Sequence, residues 1–161
     1  MTMTFILNGE DVEIDSNAEI RLVDILRNTF NLLGAKSGCY TGTCGACSII
    51  FNGNVVKSCL IPAYKILNCE IITIEGFSQT NEYNDVILGF SETGLENCDF
   101  CNTGKILATE ALLQRNMQPS REEILSAFRG IRCRCTEPEE IVKGVTAASE
   151  LRRRRLYGRS S

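Results

Sequence analysis

The stretch Lys36-Ser37-Gly38-Cys39-Tyr40-Thr41-Gly42-Thr43-Cys44-Gly45-Ala46-Cys47 sets three cysteines among three glycines in one loop. Its spacing is C-x4-C-x2-C, and a fourth cysteine, Cys59, follows the next hairpin. Two ferric ions bridged by two sulfides need four thiolates around a compact diamond. One wrapping loop can supply three of them, and the fourth closes the far side. Such a loop needs residues that tolerate positive φ and leave backbone N–H groups bare, and Gly38, Gly42 and Gly45 fit that need. Those N–H groups can donate to cluster sulfur and raise its reduction potential. Ala46 adds little bulk beside it. The alternatives are a four-cysteine zinc site or ordinary buried thiols, but zinc ligands usually come as C-x2-C pairs on opposed knuckles. The first set therefore reads as Cys39, Cys44, Cys47 and Cys59 around a [2Fe–2S] cluster.

Around this loop the chain reads as a small mixed sheet. Thr4 to Leu7 is a strand, Asn8-Gly9 a hairpin turn and Val12 to Ile14 the return strand. Ser16 with Glu19 has the form of a capping box, opening a helix whose face is Leu22, Val23, Ile25, Leu26, Thr29 and Phe30. Cys47 to Phe51 and Val55 to Lys57 flank a second turn, Asn52-Gly53. Glu70 to Ile74 is a last strand with Ile72 and Ile74 on one face, and Phe77 to Asn81 is the linker. Beyond it the period becomes helical: Glu82 to Thr93 carries Tyr83, Val86, Ile87 and Phe90, and Thr103 to Asn116 carries Gly104, Ala108, Ala111 and Leu112. A third helix follows the Ser120–Glu123 capping box. A fourth starts near Pro138 with Ile141, Val142, Val145 and Ala148 inward. The fold class is α+β, with a β-rich domain over residues 1–77 and a helical domain over 78–161.

The helical part carries Cys98-x2-Cys101 and Cys133-x-Cys135. One pair enters the Thr103 helix and the other lies between the third and last helices, so four thiolates could meet at one end of a bundle. C-x-C is uncommon for zinc, because adjacent ligands strain a tetrahedral knuckle. On the residues alone this is a second metal site, either [2Fe–2S] or zinc.

Taken together, the loop ending at Cys47 and the two later cysteine pairs resemble the iron–sulfur subunits of the molybdenum hydroxylases. That group includes xanthine dehydrogenase, aldehyde oxidoreductase and carbon monoxide dehydrogenase. The likeness runs from about Phe5 to Ala148. It implies a β-grasp, plant-type ferredoxin-like domain followed by a four-helix bundle, with a second [2Fe–2S] cluster on Cys98, Cys101, Cys133 and Cys135. It further implies that electrons leave a molybdopterin centre on a large partner subunit, pass the second and then the first cluster, and reach FAD on another subunit. The partner would hydroxylate a heterocycle or aldehyde; xanthine or another purine is the leading expectation, with nicotinate, aldehydes and carbon monoxide open.

This chain departs from the family around the second set. The usual Q-C-G-x-C-x-P-G is here Asn97-Cys98-Asp99-Phe100-Cys101-Asn102-Thr103-Gly104, and G-N-L-C-R-C-T-G-Y is Gly130-Ile131-Arg132-Cys133-Arg134-Cys135-Thr136-Glu137-Pro138. All four thiolates are kept. Asn97 stands where the family's Gln contacts molybdopterin, one methylene shorter, and is the candidate pterin contact. An ionised Asp99 beside an anionic cluster is expected to lower its potential.

The 161-residue chain is 43% apolar and 23% charged, as a globular protein should be. A net charge of -3 argues against nucleic acid as a partner. The absence of histidine excludes His-based catalysis, His-ligated zinc and Rieske ligation. No dinucleotide fingerprint, phosphate loop or nucleophile–base pair is present, so no substrate chemistry is expected on this chain. Met1 to Glu13 has no basic start and apolar core, which leads to the expectation of a cytoplasmic protein with reduced cysteines. Arg152 to Arg155 reads as a solvated helix end, favourable to the helix dipole, with a docking patch as the other reading. Cys69, left over, reads as a buried structural thiol. Two rival functions stand beside the subunit reading. A stand-alone two-cluster carrier or redox sensor would elute alone, and a zinc-stabilised interaction module would be colourless.

Overall fold

The structure, a computed structural model, describes residues 1–95, 101–131 and 136–158. β1 (Thr2–Leu7) turns through Asn8 and Gly9, at φ 51° and 84°, into β2 (Glu10–Asp15). A two-residue hairpin demands that left-handed pair, and Asn52 and Gly53 repeat it at 48° and 83° between β3 (Ser48–Phe51) and β4 (Asn54–Lys57). β5 (Glu70–Ile72) enters between β1 and β3, giving the order β2-β1-β5-β3-β4. β5 runs parallel to β1, with Ile6 opposite Glu70, and antiparallel to β3, with Ile50 opposite Ile72.

The period of two along the strands sorts neighbouring isoleucines to opposite faces. Ile49 and Ile71 join Met3, Phe5 and Leu7 under helix α1 (Leu22–Asn28), whose Leu22, Val23, Ile25 and Leu26 are buried against them. Ile50 and Ile72 face the other way, into a second core built by the helices. These are α3 (Asn81–Glu92), α4 (Asn102–Arg115), α5 (Arg121–Ala127) and α6 (Pro138–Tyr157). Phe90, Leu107, Leu113, Ile124 and Val145 are at its centre. α4 lies on β3 and β4, and α3 packs along α6. That last approach needs Gly89, where a Cβ would fall 2.4 Å from the Ala148 nitrogen. The fold is thus mixed α+β, a five-stranded sheet with helices on both faces. Among the described residues no helix is long and apolar enough to cross a membrane.

Several elements differ from the sequence reading. Ser16 and Glu19 form no capping box: α1 starts at Leu22 with Arg21 as an N-cap that makes no side-chain bond. Residues 17–21 are instead tied to residues 61–64, where the Ala18 and Ile20 carbonyls accept from the N–H groups of Tyr64 and Ala63 and Arg21 bridges to Pro62. α1 ends before Thr29 and Phe30. The last strand stops at Ile72, because the Asn8 side chain accepts from the Thr73 N–H (2.8 Å) and donates to its hydroxyl (3.0 Å), turning the chain into α2 (Ile74–Phe77). Phe77, expected in the linker, is 5% exposed in the helical core.

The basic run is solvated only in part, with Arg154 and Arg155 exposed and Arg152 buried. Arg152, 3% exposed, pairs with Asp85 (3.3 Å) and Glu110 (2.7 Å), and Arg155 pairs with Asp85 (2.7 Å) and Glu82 (3.4 Å). A planar guanidinium can serve two carboxylates at once, which makes such a buried network possible. Cys69 is half-buried rather than enclosed, its S–H pointing to the carbonyls of Lys65 and Leu67.

Candidate metal centres

The loop ahead of β3 is shaped by three left-handed residues, Tyr40 (φ 57°), Gly42 (78°) and Gly45 (75°). Gly38, expected to share that role, does not; Tyr40 takes it. Its conformation is held by its own neighbours: the Arg21 guanidinium donates to the Tyr40 carbonyl (2.7 Å) and lies 5.0 Å over its ring, while the Tyr40 hydroxyl donates to Asp24 (2.8 Å). Gly42 is roofed by Leu60, where a Cβ would fall 2.4 Å from Leu60 Cδ1. Cys59 comes from a 3-10 turn, Ser58–Leu60, directly after β4. The Ser58 N–H (3.2 Å) and hydroxyl (2.7 Å) both donate to the Cys47 carbonyl, pinning that turn to the loop.

The four thiols neighbour one another: Cys44 feels Cys39 and Cys47, and Cys59 feels Cys47 and Cys39. Among the described residues no group of three or more Cys, Asp or Glu is placed to hold a single metal ion. Four neighbouring thiols drawn from one loop and one turn suit a two-iron cluster, in which each iron takes two thiolates. N–H donors surround them: Thr41 donates to the Cys39 sulfur and Ala46 to the Cys44 sulfur, both at 3.4 Å. The Cys39 thiol is lowered to about 4 by the hydroxyls of Thr41 and Thr43, joined by the backbone N–H groups of Thr41 and Cys44. Burial raises the Cys44 thiol, and burial beside Cys47 pushes Cys59 up to about 11. Cys47 and Cys59 are 1% and 2% exposed, within the sheet's apolar core. Thiolates are costly in such a place without a cation, so this donor set fits a [2Fe–2S] group. The two threonines were missed in the sequence; their Thr-x-Thr spacing between Cys39 and Cys44 was the available signal.

Of the second set, Cys101 is 1% exposed at the N-cap of α4, where the positive end of the helix dipole favours a thiolate. Cys98, Cys133 and Cys135 lie outside the described residues, as do Asn97 and Asp99. Gly104, a turn after Cys101, touches both the first loop and Ile131: a Cβ there would fall 3.0 Å from the Gly45 carbonyl oxygen and 3.3 Å from Ile131 Cγ1. The two cysteine-bearing regions are therefore in contact.

The family described as "2Fe-2S iron-sulfur cluster binding domain" matches residues 5–69, and the "[2Fe-2S] binding domain" family matches residues 73–146. The chain is 39% identical over 150 residues to the nicotinate dehydrogenase small FeS subunit of Eubacterium barkeri, covering 93% of this chain and 96% of that one. It belongs to the iron–sulfur small subunits of the molybdenum hydroxylases. The solved structure of quinoline 2-oxidoreductase from Pseudomonas putida 86 agrees with this small subunit at a TM-score of 0.85 and 34% identity, covering 95% of this chain and 96% of that one. Aldehyde oxidoreductase from Desulfovibrio gigas gives a TM-score of 0.85 at 31% identity, covering 96% of this chain and 17% of that one, so there the same unit sits in a longer chain. The function of this small subunit is electron transfer within an oxidoreductase, and its two matched domains correspond to two [2Fe–2S] clusters.

Proposed function

We propose that this small subunit relays electrons singly from a molybdopterin centre on a large partner, through two [2Fe–2S] clusters, to FAD on another subunit. Cys39, Cys44, Cys47 and Cys59 hold the first cluster, and Cys98, Cys101, Cys133 and Cys135 the second. When bound, such a group takes up or gives up one electron with no proton or covalent change in the protein. The chain's own residues supply the thiolates and the N–H donors of Thr41 and Ala46. They also supply the apolar packing of Leu22, Ile49 and Ile71 that keeps water from Cys47 and Cys59. Asn97 is the candidate pterin contact. Residues 1–77 act as a β-grasp domain and 78–161 as a four-helix bundle, and the location is the cytoplasm. Relatives named for nicotinate and quinoline make an N-heteroaromatic compound the substrate class proposed for the complex.

The gathering of the four first-set thiols among N–H donors carries this reading. Purification from the native cell tests it. A brown complex containing a large molybdenum-bearing chain, a flavin-bearing chain and about four irons with four sulfides per small subunit is expected. A protein eluting alone, or one without inorganic sulfide, refutes it.

A further inference from the structure

The main chains of the two cysteine-bearing regions abut with almost nothing between them. Gly45 lies between Cys44 and Cys47 in sequence, Gly104 follows Cys101, and Gly130 and Ile131 precede Cys133. A Cβ on Gly45 would fall 3.0 Å from the Gly130 carbonyl oxygen and 3.1 Å from Ile131 Cα, and one on Gly104 would fall 3.0 Å from the Gly45 carbonyl oxygen. That carbonyl cannot easily retreat, because the hydroxyl (2.6 Å) and N–H (3.2 Å) of Ser48, a residue 2% exposed, both donate to it. A second tie spans the same seam, the Thr103 hydroxyl donating to the Gly34 carbonyl at 3.2 Å.

We propose that this junction of Gly45, Gly104, Gly130 and Ile131 fixes the separation of the two cluster sites and is where electrons cross between them, with Gly104 as the positioning residue. The inference rests on the two-cluster reading above. One electron moves per crossing; what the donor site loses the acceptor site gains, and no bond or proton changes place. Electron transfer between fixed sites falls steeply with their separation, so a methyl group that wedges the seam apart slows it.

Gly104→Ala in the assembled complex is the test. Gly104 is helical, and alanine is the better helix former, so the penalty comes from contact with Gly45 and Ile131 across the seam. Iron content stays whole, while the magnetic coupling between the two reduced clusters, read by electron paramagnetic resonance, weakens and the intercluster rate falls several-fold. Glu150→Ala, on the exposed side of α6 and away from the seam, is the control and leaves coupling and rate as in the wild type. If Gly104→Ala costs the second cluster, Thr103→Val, which drops the tie to Gly34 without adding bulk, gives a smaller change in the same direction. Two intact clusters with unchanged coupling and rate in Gly104→Ala, or in Thr103→Val should that be the variant that assembles, overturn the inference alone. A wild-type protein with one cluster or none overturns the two-cluster reading itself.

Discussion

In the sheet half, Cys47 and Cys59 belong to the apolar core, packed with Leu22, Ile49 and Ile71. In the helical half, Cys101 stands at the start of α4, apart from the core cluster around Phe90 and Val145, and the buried polar groups include the paired Arg152, Asp85 and Glu110. The first half thus makes its candidate ligands part of what holds it together. The second is clasped instead by buried ion pairs. The two halves should accordingly respond differently to loss of a thiol and to loss of a charge.

The largest effect is expected from the thiols. Cys59→Ala and Cys101→Ala should each remove about half the iron. Only Cys59→Ala should also loosen the sheet half, seen as new protease cuts within residues 1–77; equal protection in the two variants would erase the contrast. Next comes Asp85→Ala, which leaves Arg152 with Glu110 and Arg155 with Glu82 only and should cost about 1.5–3 kcal/mol, as loss of hydrogen bonds to charged groups does. Thermal unfolding of the iron-loaded protein measures it, with the visible spectrum of the first cluster unchanged below the transition. The smallest is Gly89→Ala, where overpacking of α3 against Ala148 should cost about 1–3 kcal/mol despite alanine's better helix propensity. A gain in stability there would mean that the α3–α6 contact is looser than the ion-pair clasp requires.

What was legible in the sequence was local. Asn8-Gly9 and Asn52-Gly53 announce hairpins because few residue pairs accept two positive φ values in succession. Ser120 with Glu123 announces α5, and both reciprocal bonds are present. Ser16 with Glu19 carries the same pattern and fails, since residues 17–21 pair with residues 61–64, a partner that no local window contains. Arg152 departs from the solvated reading of the arginine run for the same reason: it and Asp85 are 67 positions apart, and only the packed helices bring them together. At the first site the cysteine spacing points to the loop, while the Thr41 and Thr43 donors and the Leu60 roof depend on how the loop closes.

The Arg152 clasp also has a consequence in time. Translation is directional, so Asp85 and Glu110 leave the ribosome well before the guanidinium that neutralises them. With 67 positions between Asp85 and Arg152, the wait is about 3–13 s at ~5–20 residues per second. During that interval the nascent helices carry unmatched acids at the place where they must close, so the second half completes its closure only when α6 arrives, however early the sheet has formed.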